Sequence, residues 1–266
     1  MGYGHYAELA DIMVAVDADP DGHVRVKELF ESLEAFKILA NFIVAAQRTA
    51  QKNGLPKPMR IVELACGHGL VGALLAYRFR NLDVHLYDLE MRPTFDAFLR
   101  AFATKGQKYP GDDSTLPNLH FHEEDMANAT PFIESSIVVC LHGCGAVNER
   151  AIEMAVTQAA SAWAVMPCCI EKDQYLGDNC HINLSDDDTR YNFLCGALAS
   201  RYSAQLVQAI DLRITNRPLM ICGGVGLNAV ALADEEEASN DDRRAAETIA
   251  LKAAARRGKL PKLSLS

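Results

Sequence analysis

The 266-residue sequence lacks several features that mark specialised classes of protein. No uninterrupted apolar run approaches the roughly 18 residues that span a bilayer, and acidic residues stand near the start, where a secretory signal carries basic ones. The eight cysteines follow no regular spacing of the kind found in secreted disulfide frameworks. We therefore expect a cytoplasmic protein that keeps its cysteines reduced and has no membrane partner.

Positive charge is also scarce: 26 Lys and Arg stand against 35 Asp and Glu, a formal net charge of -9. This balance argues against a protein that holds nucleic acid by charge alone. Basic residues do collect after Asp242, behind an acidic run at Asp234–Glu237, so a local basic patch keeps RNA among the partners considered. With 49% hydrophobic and 23% charged residues, the chain has the composition of an ordinary globular protein.

Three regions differ in pattern: a helical N-terminal region over 1–58, an alternating body over 59–226, and an Ala-rich charged tail over 227–266. Strand-like apolar runs in the body alternate with amphipathic segments of helical length. The strand runs are Arg60–Ala65, Asp83–Tyr87, Asn118–Phe121, Ser136–Leu141, Trp163–Met166, Ala204–Ile214 and Pro218–Cys222, and the helical segments include Leu70–Phe79, Pro93–Thr104 and Glu149–Ala160. The alternation predicts an α/β fold with a mostly parallel, Rossmann-like sheet covered by helices on both faces.

The end of the body predicts smaller features. Only Thr215–Arg217 separates the last two strand runs, so we expect a hairpin that adds an antiparallel edge strand, as in class I methyltransferases. The acidic stretch Gly177–Arg190 lies where such a sheet places a substrate-facing loop, although a solvated surface loop is the favoured interpretation. The tail over Leu232–Arg257 has helical propensity with little apolar face, which leaves a loosely docked helix and a disordered segment as alternatives.

A glycine-bearing turn follows the first strand, with Ala65, Gly67 and Gly69 leading into the next helix. Glycines at such a turn let backbone amides approach a ligand closely. The acid Glu63 before the glycines can face the methionine amino group of S-adenosylmethionine (SAM), whereas it would repel the pyrophosphate of NAD. The pattern therefore favours SAM as the cofactor of this turn.

Two more acids follow the ends of the next strands. Asp88 lies about twenty residues downstream of the turn, where a carboxylate can accept the ribose hydroxyl protons of a cofactor. Asp125 follows the third strand, at a position that resembles the adenine-contacting acid of methyltransferases. Each acid alone has an ordinary alternative, since Glu63 can form a local salt bridge and Asp88 can be a turn residue. The acids in this order complete the predicted cofactor site.

Histidine and cysteine residues gather at two further strand ends. His142 and Cys144 follow the fourth strand, and Cys168 and Cys169 follow the fifth. Because neighbouring parallel strands end at one edge of the sheet, we take all four as candidate catalytic residues. Three interpretations stay open, in order of preference: the cluster shapes a methyl-acceptor pocket, provides buried structural thiols, or binds zinc. In the first case His142 is the base that removes the acceptor's proton.

Zinc ranks last because His142 and Cys144 are closer in sequence than zinc ligands usually are. A set of four ligands would need Cys180 and His181 to fold back onto the cluster. A covalent cysteine mechanism also ranks low, since nothing in the sequence indicates which thiol is activated.

The strand end Leu141–Gly145, with the pattern Leu-His-x-Cys-Gly, and the Pro-Cys-Cys strand end at Pro167–Cys169 together resemble a methyltransferase family. Its members include the eukaryotic tRNA acceptor-stem 2'-O-methyltransferases and the methyltransferase domain of a glutathione-transferase-like protein. The resemblance covers Arg60–Ile170, with Gly143 in place of the family's small residue after the histidine. It implies a class I fold and SAM-dependent methyl transfer. The flanking zinc-finger modules of the acceptor-stem enzymes are absent from this sequence, so the resemblance does not identify the acceptor.

Residues Asp17–Glu28 match the pattern of an EF-hand calcium loop at every required position. Apolar residues at helical spacing over Ala7–Val16 and Lys27–Phe36 predict a helix on each side. Arg25 replaces the usual oxygen donor at the ninth position and no second loop is visible, which predicts weak calcium binding or pairing of two chains in a dimer. The alternative is an acidic turn without metal. The expected ligands are the carboxylates of Asp17, Asp19 and Asp21, the carbonyl of His23 and both carboxylate oxygens of Glu28.

Three hypotheses follow. The leading one is SAM-dependent methyl transfer to an RNA, protein or small-molecule acceptor, tuned by calcium through the N-terminal helices. The second is a calcium-responsive binding protein whose Rossmann-like body has lost catalysis, which measurable methyl transfer would exclude. The third is a nucleotide-dependent oxidoreductase, disfavoured by Glu63 and testable by the effect of NAD on the melting temperature.

Overall fold

The structure is a computed structural model that describes residues 4–105, 116–176, 180–181 and 183–224. These residues form helices and strands that mostly alternate along the chain. In chain order they are α1 (Gly4–Asp17), α2 (Val26–Lys52), β1 (Arg60–Leu64), α3 (Leu70–Arg78), β2 (Asp83–Asp88), α4 (Pro93–Lys105), β3 (Leu119–Glu123), a 3₁₀ turn (Met126–Ala129), α5 (Thr130–Ile133), β4 (Ile137–Leu141), α6 (Val147–Thr157), β5 (Ala162–Met166), α7 (Asp187–Arg201), β6 (Leu206–Ala209) and β7 (Leu219–Gly223).

The seven strands form one mixed sheet in the order β3-β2-β1-β4-β5-β7-β6. Strands β1 to β5 run parallel, and β7 pairs antiparallel with both β5 and β6. This arrangement confirms the predicted α/β class with a Rossmann-like sheet. The strand order reverses direction between β1 and β4, and ligands of open parallel sheets bind in the crevice outside such a reversal.

Two apolar clusters cover the opposite faces of the sheet, which explains why its central strands are apolar at successive positions. Ile61 belongs to the cluster that includes residues of α1 to α4, whereas the next residue, Val62, belongs to the cluster with residues of α6 and α7. All residues of β4 and β5 are buried. Within the described part of the chain, no helix is both long and apolar enough to cross a membrane.

The N-terminal helices share the core of the sheet. Helix α1 contacts α4, and α2 contacts α3. Leu39 and Phe42 of α2 are buried in the same apolar cluster as Leu74 of α3 and Leu86 of β2. Helix α2 is 27 residues long and extends well beyond the predicted end at Phe36. Helices α1 and α2 therefore rest on the helices that follow β1 and β2.

The C-terminal part of the body differs from the prediction in two places. The predicted strand Ala204–Ile214 contains only the short strand β6, and residues 210–218, not Thr215–Arg217 alone, connect it to β7. The connection turns locally, because the Ile214 N–H donates to the carbonyl of Asp211, at 2.9 Å, and strand pairing cannot continue there. Strand β7 also lies inside the sheet, so β6 forms the edge.

The prediction of a loop over Gly177–Arg190 was wrong for its last residues, because α7 begins at Asp187. Asp186 caps this helix by accepting a hydrogen bond from the Thr189 N–H, and the acids Asp187 and Asp188 favour its first turn. The tail over 227–266 lies outside the described residues.

Candidate functional site

The carboxyl ends of β1, β2, β4 and β5 lie along one edge of the sheet, as the parallel pairings require. This edge holds the turn after β1, the carboxylate of Asp88, the His142 loop and the cysteines after β5. The sequence predicted this gathering from strand order alone.

The turn after β1 combines three left-handed residues. Ala65, Gly67 and Gly69 have φ values of 53°, 61° and 72°. A side chain at Gly69 would collide with the ring of Phe95, since its Cβ would lie 2.7 Å from a ring carbon. A Cβ at Gly67 would meet nothing within 4 Å, so the backbone there borders open space. Gly69 therefore allows the start of α3 to pack closely against Phe95 of α4, and Gly67 leaves room for a ligand.

Asp88 ends β2 and connects to the turn. Its Oδ2 accepts a hydrogen bond from the Gly67 N–H at 2.7 Å, and its Oδ1 accepts one from the Leu89 N–H at 2.9 Å. A carboxylate has about four lone-pair sites, so each oxygen can still accept a hydroxyl proton. The half-buried carboxylate is thus held in place and keeps capacity to bind a ligand.

Glu63 is buried below the turn, with 2% of its surface exposed. The pKa of its carboxyl is raised to about 8, mainly by burial and to a smaller extent by the negative charge of Asp88. The hydrogen bond from the Gly72 N–H acts in the opposite direction and lowers this pKa. Within the described residues Oε2 has no hydrogen-bond partner. The carboxyl is therefore mostly neutral at pH 7, and the predicted repulsion of a pyrophosphate does not operate in the free protein.

Asp125 follows β3 and has a structural role of its own. Its Oδ1 accepts a hydrogen bond from the Ala127 N–H at 2.8 Å and so caps the 3₁₀ turn that follows. The neighbouring Glu124 N–H donates to the Asp88 carbonyl at 2.9 Å, which joins the ends of β2 and β3. The exposed carboxylate of Asp125 lies 4.0 Å from Arg150 Nη2.

His142 begins the loop after β4, with a φ of 56°. Its backbone N–H donates to the Met166 carbonyl at 2.8 Å, which fixes the loop against the end of β5. Burial lowers the pKa of the imidazole, and Glu31 of α2 opposes that shift while Lys27 adds to it. A neutral imidazole can accept a proton, as a general base must.

His68 is a functional candidate that the sequence analysis missed. It stands between the two glycines of the turn, and its Nδ1 accepts a hydrogen bond from the Leu70 N–H at 3.2 Å. Burial lowers its pKa, Glu28 of α2 raises it, and Arg92 and His142 lower it. Its position inside the glycine turn was the signal that could have identified it. Charged side chains in the first turn of α2 therefore shift the pKa of both histidines at this edge.

The three predicted cysteines meet. Cys144 Sγ lies 3.9 Å from Cys168 Sγ, which lies 3.6 Å from Cys169 Sγ. Cys144 and Cys169 are exposed, and Cys168 is half-buried. Burial raises the pKa of Cys168, and the neighbouring thiols raise it further. Within the described residues, this is the group in which ligand atoms of three side chains lie within 4.8 Å of one another.

Cys180 and His181 do not join this cluster. His181 Nδ1 instead lies 3.2 Å from the carboxylate of Asp173. The fold-back that a four-ligand set with these two residues required is therefore absent from the described part of the chain.

The five predicted calcium ligands lie between the last residue of α1 and the first turn of α2, and two of them contact a cation of the protein itself. Asp19 accepts hydrogen bonds from Arg100 Nε at 2.9 Å and Nη2 at 2.8 Å, and Asp21 accepts one from the same Nη2 at 3.1 Å. These bonds lower the pKa of Asp19. Arg100 belongs to α4, so the ion pairs join the loop to the helix after β2.

The other predicted ligands lie apart from this contact. Asp17 is the last residue of α1, His23 is exposed, and Glu28 faces Arg25 at 3.8 Å. Gly22 is required where it stands, because a Cβ there would lie 1.8 Å from the Val16 carbonyl oxygen. The glycine of the pattern thus lets the loop turn tightly against the end of α1.

Comparison with known proteins gives one family. The profile of a family described as "Methyltransferase domain" matches residues 34–173, more than half of the 266-residue chain. No curated protein matches the chain.

Solved structures resemble the fold at low identity. The antibiotic-resistance methyltransferase Kmr is 10% identical over 62% of this chain and 86% of that chain, with a TM-score of 0.41. An antibiotic-related methyltransferase is 14% identical over 63% of this chain and 88% of that chain, with a TM-score of 0.38. A variant of the 16S rRNA (adenine(1408)-N(1))-methyltransferase from Catenulisporales acidiphilia, solved with the cosubstrate SAM, is 12% identical over 69% of this chain and 91% of that chain, with a TM-score of 0.37. At these values the neighbours carry no argument about substrate.

Proposed function

This chain belongs to the methyltransferase domain family, and from that membership we propose that it transfers a methyl group from SAM to an acceptor bound at the ends of β4 and β5. The observation that carries the proposal is the turn after β1. Gly67 borders open space, and its N–H is held by Asp88 at 2.7 Å, so backbone and carboxylate form one preorganised surface.

The cofactor would be held by residues at the ends of the first three strands. Asp88 would accept the ribose hydroxyl protons, and Gly67 would allow the close approach of the nucleoside part. Glu63 would face the methionine ammonium, since its Oε2 is buried without a partner among the described residues. Asp125 would lie by the adenine ring. Bound there, SAM supplies the methyl sulfonium that the acceptor attacks.

The acceptor side would be formed by His142, Cys144, Cys168 and Cys169. The lowered pKa of His142 keeps its imidazole neutral, so it can take the proton of a hydroxyl or amine acceptor as the methyl group arrives. An RNA, a protein or a small molecule carrying such a group would be methylated by the same arrangement. We place the activity in the cytoplasm, where the eight cysteines of the chain remain thiols.

Calorimetric titration with S-adenosylhomocysteine tests the cofactor site. We expect the wild type to bind and Asp88→Ala to bind at least roughly tenfold more weakly, because the charged carboxylate would accept hydrogen bonds from the ribose hydroxyls. Asp83→Ala is the matched control, since Asp83 is exposed at the opposite end of the same strand. Equal binding by wild type and Asp88→Ala would contradict the proposed site, and binding of NAD by the same titration would favour the oxidoreductase hypothesis.

We also propose that the loop Asp17–Glu28 binds calcium. The ligands would be the five residues predicted from the sequence, and calcium would displace Arg100 from Asp19 and Asp21. Because Arg100 lies on α4, the exchange would change a contact between the N-terminal helices and the body. A lone loop of this kind binds weakly or pairs with a second copy, so the proposal includes a calcium-dependent dimer. Sedimentation velocity with calcium and with chelator tests the dimer.

A further inference from the structure

The cluster of Cys144, Cys168 and Cys169 has the spacing of a metal site. A tetrahedral zinc ion holds thiolate sulfurs at about 2.3 Å, which separates any two of them by about 3.8 Å. The Sγ–Sγ distances of 3.9 Å between Cys144 and Cys168 and 3.6 Å between Cys168 and Cys169 lie on either side of that value. A disulfide would instead bring two sulfurs to about 2.05 Å. The thiols are therefore placed for a shared ion more closely than for a covalent bond.

We propose that these three cysteines bind one zinc ion through three thiolates and leave its fourth coordination position open. Three protein ligands with one open position are the arrangement of catalytic zinc sites, whereas structural sites use four. His142, Cys180 and His181 are not among the ligands, because the group of converging ligand atoms contains the three thiols alone within the described residues. The proposal does not depend on methyl transfer, and metal binding alone tests it.

The backbone holds the two ligand-bearing loops together without a metal. The His142 N–H donates to the Met166 carbonyl at 2.8 Å, and the Gly145 N–H donates to the Cys169 carbonyl at 3.3 Å. The Cys168 thiol lies 3.4 Å from the His142 carbonyl. These contacts cross from one strand end to the other, so the ligands are positioned before the ion binds. Preorganised ligands need little further ordering when a metal arrives.

Packing constrains the same loop. A Cβ at Gly143 would lie 2.8 Å from Cys140 Sγ and 2.9 Å from a methyl carbon of Val147, so a side chain there would force Cys140 or Val147 to shift. The Asn148 side chain, buried in α6, donates to the Gly143 carbonyl. The loop that carries Cys144 is therefore fixed from its inner side, and its outer side presents the thiol.

The fourth position is accessible. Gly145 has a φ of 57°, and a Cβ built on it would lie more than 4 Å from every described residue other than its chain neighbours, so the backbone next to Cys144 borders open space. Cys144 and Cys169 are both exposed. A water molecule or an acceptor group could reach an ion bound between them from solution.

Charge also fits the proposal. Three thiolates and one Zn²⁺ carry a net charge of about -1, which favours a site next to a helix N-terminus. Helix α6 begins at Val147, two residues after Gly145, and the Val147 N–H donates to the Cys144 carbonyl at 3.3 Å. The positive end of an 11-residue helix thus adjoins the ligands.

The test is metal binding by the full chain, reduced and stripped of metal under anaerobic conditions. We expect one Co²⁺ per chain with a thiolate-to-cobalt charge-transfer band, and displacement of that band by one equivalent of Zn²⁺. Cys144→Ser and Cys169→Ser should each lower zinc affinity by at least roughly tenfold, since even outer-shell partners of a metal contribute that much. Cys180→Ser is the control and should bind as the wild type does.

A second readout separates loss of ligands from loss of fold. In the wild type, Zn²⁺ should slow alkylation of Cys144 and Cys169, measured for each residue by peptide mass spectrometry, and should leave the alkylation of Cys180 unchanged. The proposal is overturned if reduced wild type binds no Co²⁺ or Zn²⁺, if the serine variants bind as tightly as the wild type, or if zinc protects no cluster thiol. A Cys144–Cys168 disulfide in protein purified without reductant, with no metal bound after reduction, would assign the cluster to thiol oxidation instead.

Discussion

Replacing Glu63 by glutamine is expected to remove a large pH-dependent part of the free energy of unfolding. The pKa of Glu63 is about 8 in the folded chain, because of burial, against an ordinary value of 4.5. Between these values the unfolded chain releases the proton and the folded chain keeps it, so stability falls as the pH rises through this window. The shift in pKa lowers the free energy of unfolding by about 5 kcal/mol above pH 8 and by about 3 kcal/mol at pH 7, at about 1.4 kcal/mol for each unit of pKa.

Urea unfolding followed by circular dichroism at pH 5, 6, 7 and 8 measures this contribution. Glutamine has nearly the same shape and stays neutral, so the stability of Glu63→Gln relative to the wild type should rise with pH, by about 1.4 kcal/mol per unit near the middle of the window. Parallel pH profiles for the two proteins would refute the inference that the carboxyl is protonated when folded.

Three other predictions follow from the same contacts. Binding of S-adenosylhomocysteine at pH 7 should release close to one proton, because its ammonium would ionise Glu63; calorimetry in buffers of different ionisation enthalpy measures the release, and Glu63→Gln should abolish it. Burial and the neighbouring His120 and His122 lower the pKa of the buried His85 to about 4. The protein should therefore lose about 3 kcal/mol of stability as the pH falls from 6.5 to 4, because the unfolded chain binds a proton that the folded chain does not. His85→Gln should reduce that loss in urea titrations, and an unchanged pH dependence of stability would contradict the prediction. Arg100→Gln should strengthen calcium binding by roughly two- to fivefold, since exposed ion pairs contribute little; an equal or weaker calorimetric affinity would show that Arg100 does not compete with the ion.

The strands of the sheet centre could be predicted because they are buried on both faces and therefore apolar throughout. Ile137–Leu141 and Ala162–Met166 carry this pattern, and the predicted fold class followed from them. Helix α7 was missed because its first turn is acidic, and Asp187 and Asp188 resemble a solvated loop when their helical context is unknown. Strand β6 was predicted too long because the apolar pattern continues past the point where the chain turns at Asp211.

The places of the candidate residues at the strand ends could be predicted from the order of the strands, but their interactions could not. The protonation of Glu63 depends on how closely α3 covers it. The cover is so close that a Cβ added to Gly72 would lie only 2.8 Å from Oε2. Arg100 is 81 positions from Asp19, and no local pattern pairs them. The gathering of Cys144 and Cys168 at one edge was predicted from the order of their strands, but the 3.9 Å distance between their sulfurs depends on how the two strand-end loops fold. Sequence spacing had made zinc the least favoured of the three interpretations of this cluster.

The most direct test of methyl transfer uses SAM with a tritium-labelled methyl group, incubated with the protein and separate RNA, protein and small-molecule fractions of a cell extract. The account predicts that wild type labels one of these fractions. Asp88→Ala should label it at least roughly tenfold less at low SAM concentration, as its weaker cofactor binding requires, and His142→Gln at least roughly a hundredfold less, as loss of a general base requires. If the wild type binds S-adenosylhomocysteine and yet labels no fraction, the result would contradict catalysis and favour a binding protein with an inactive methyltransferase fold.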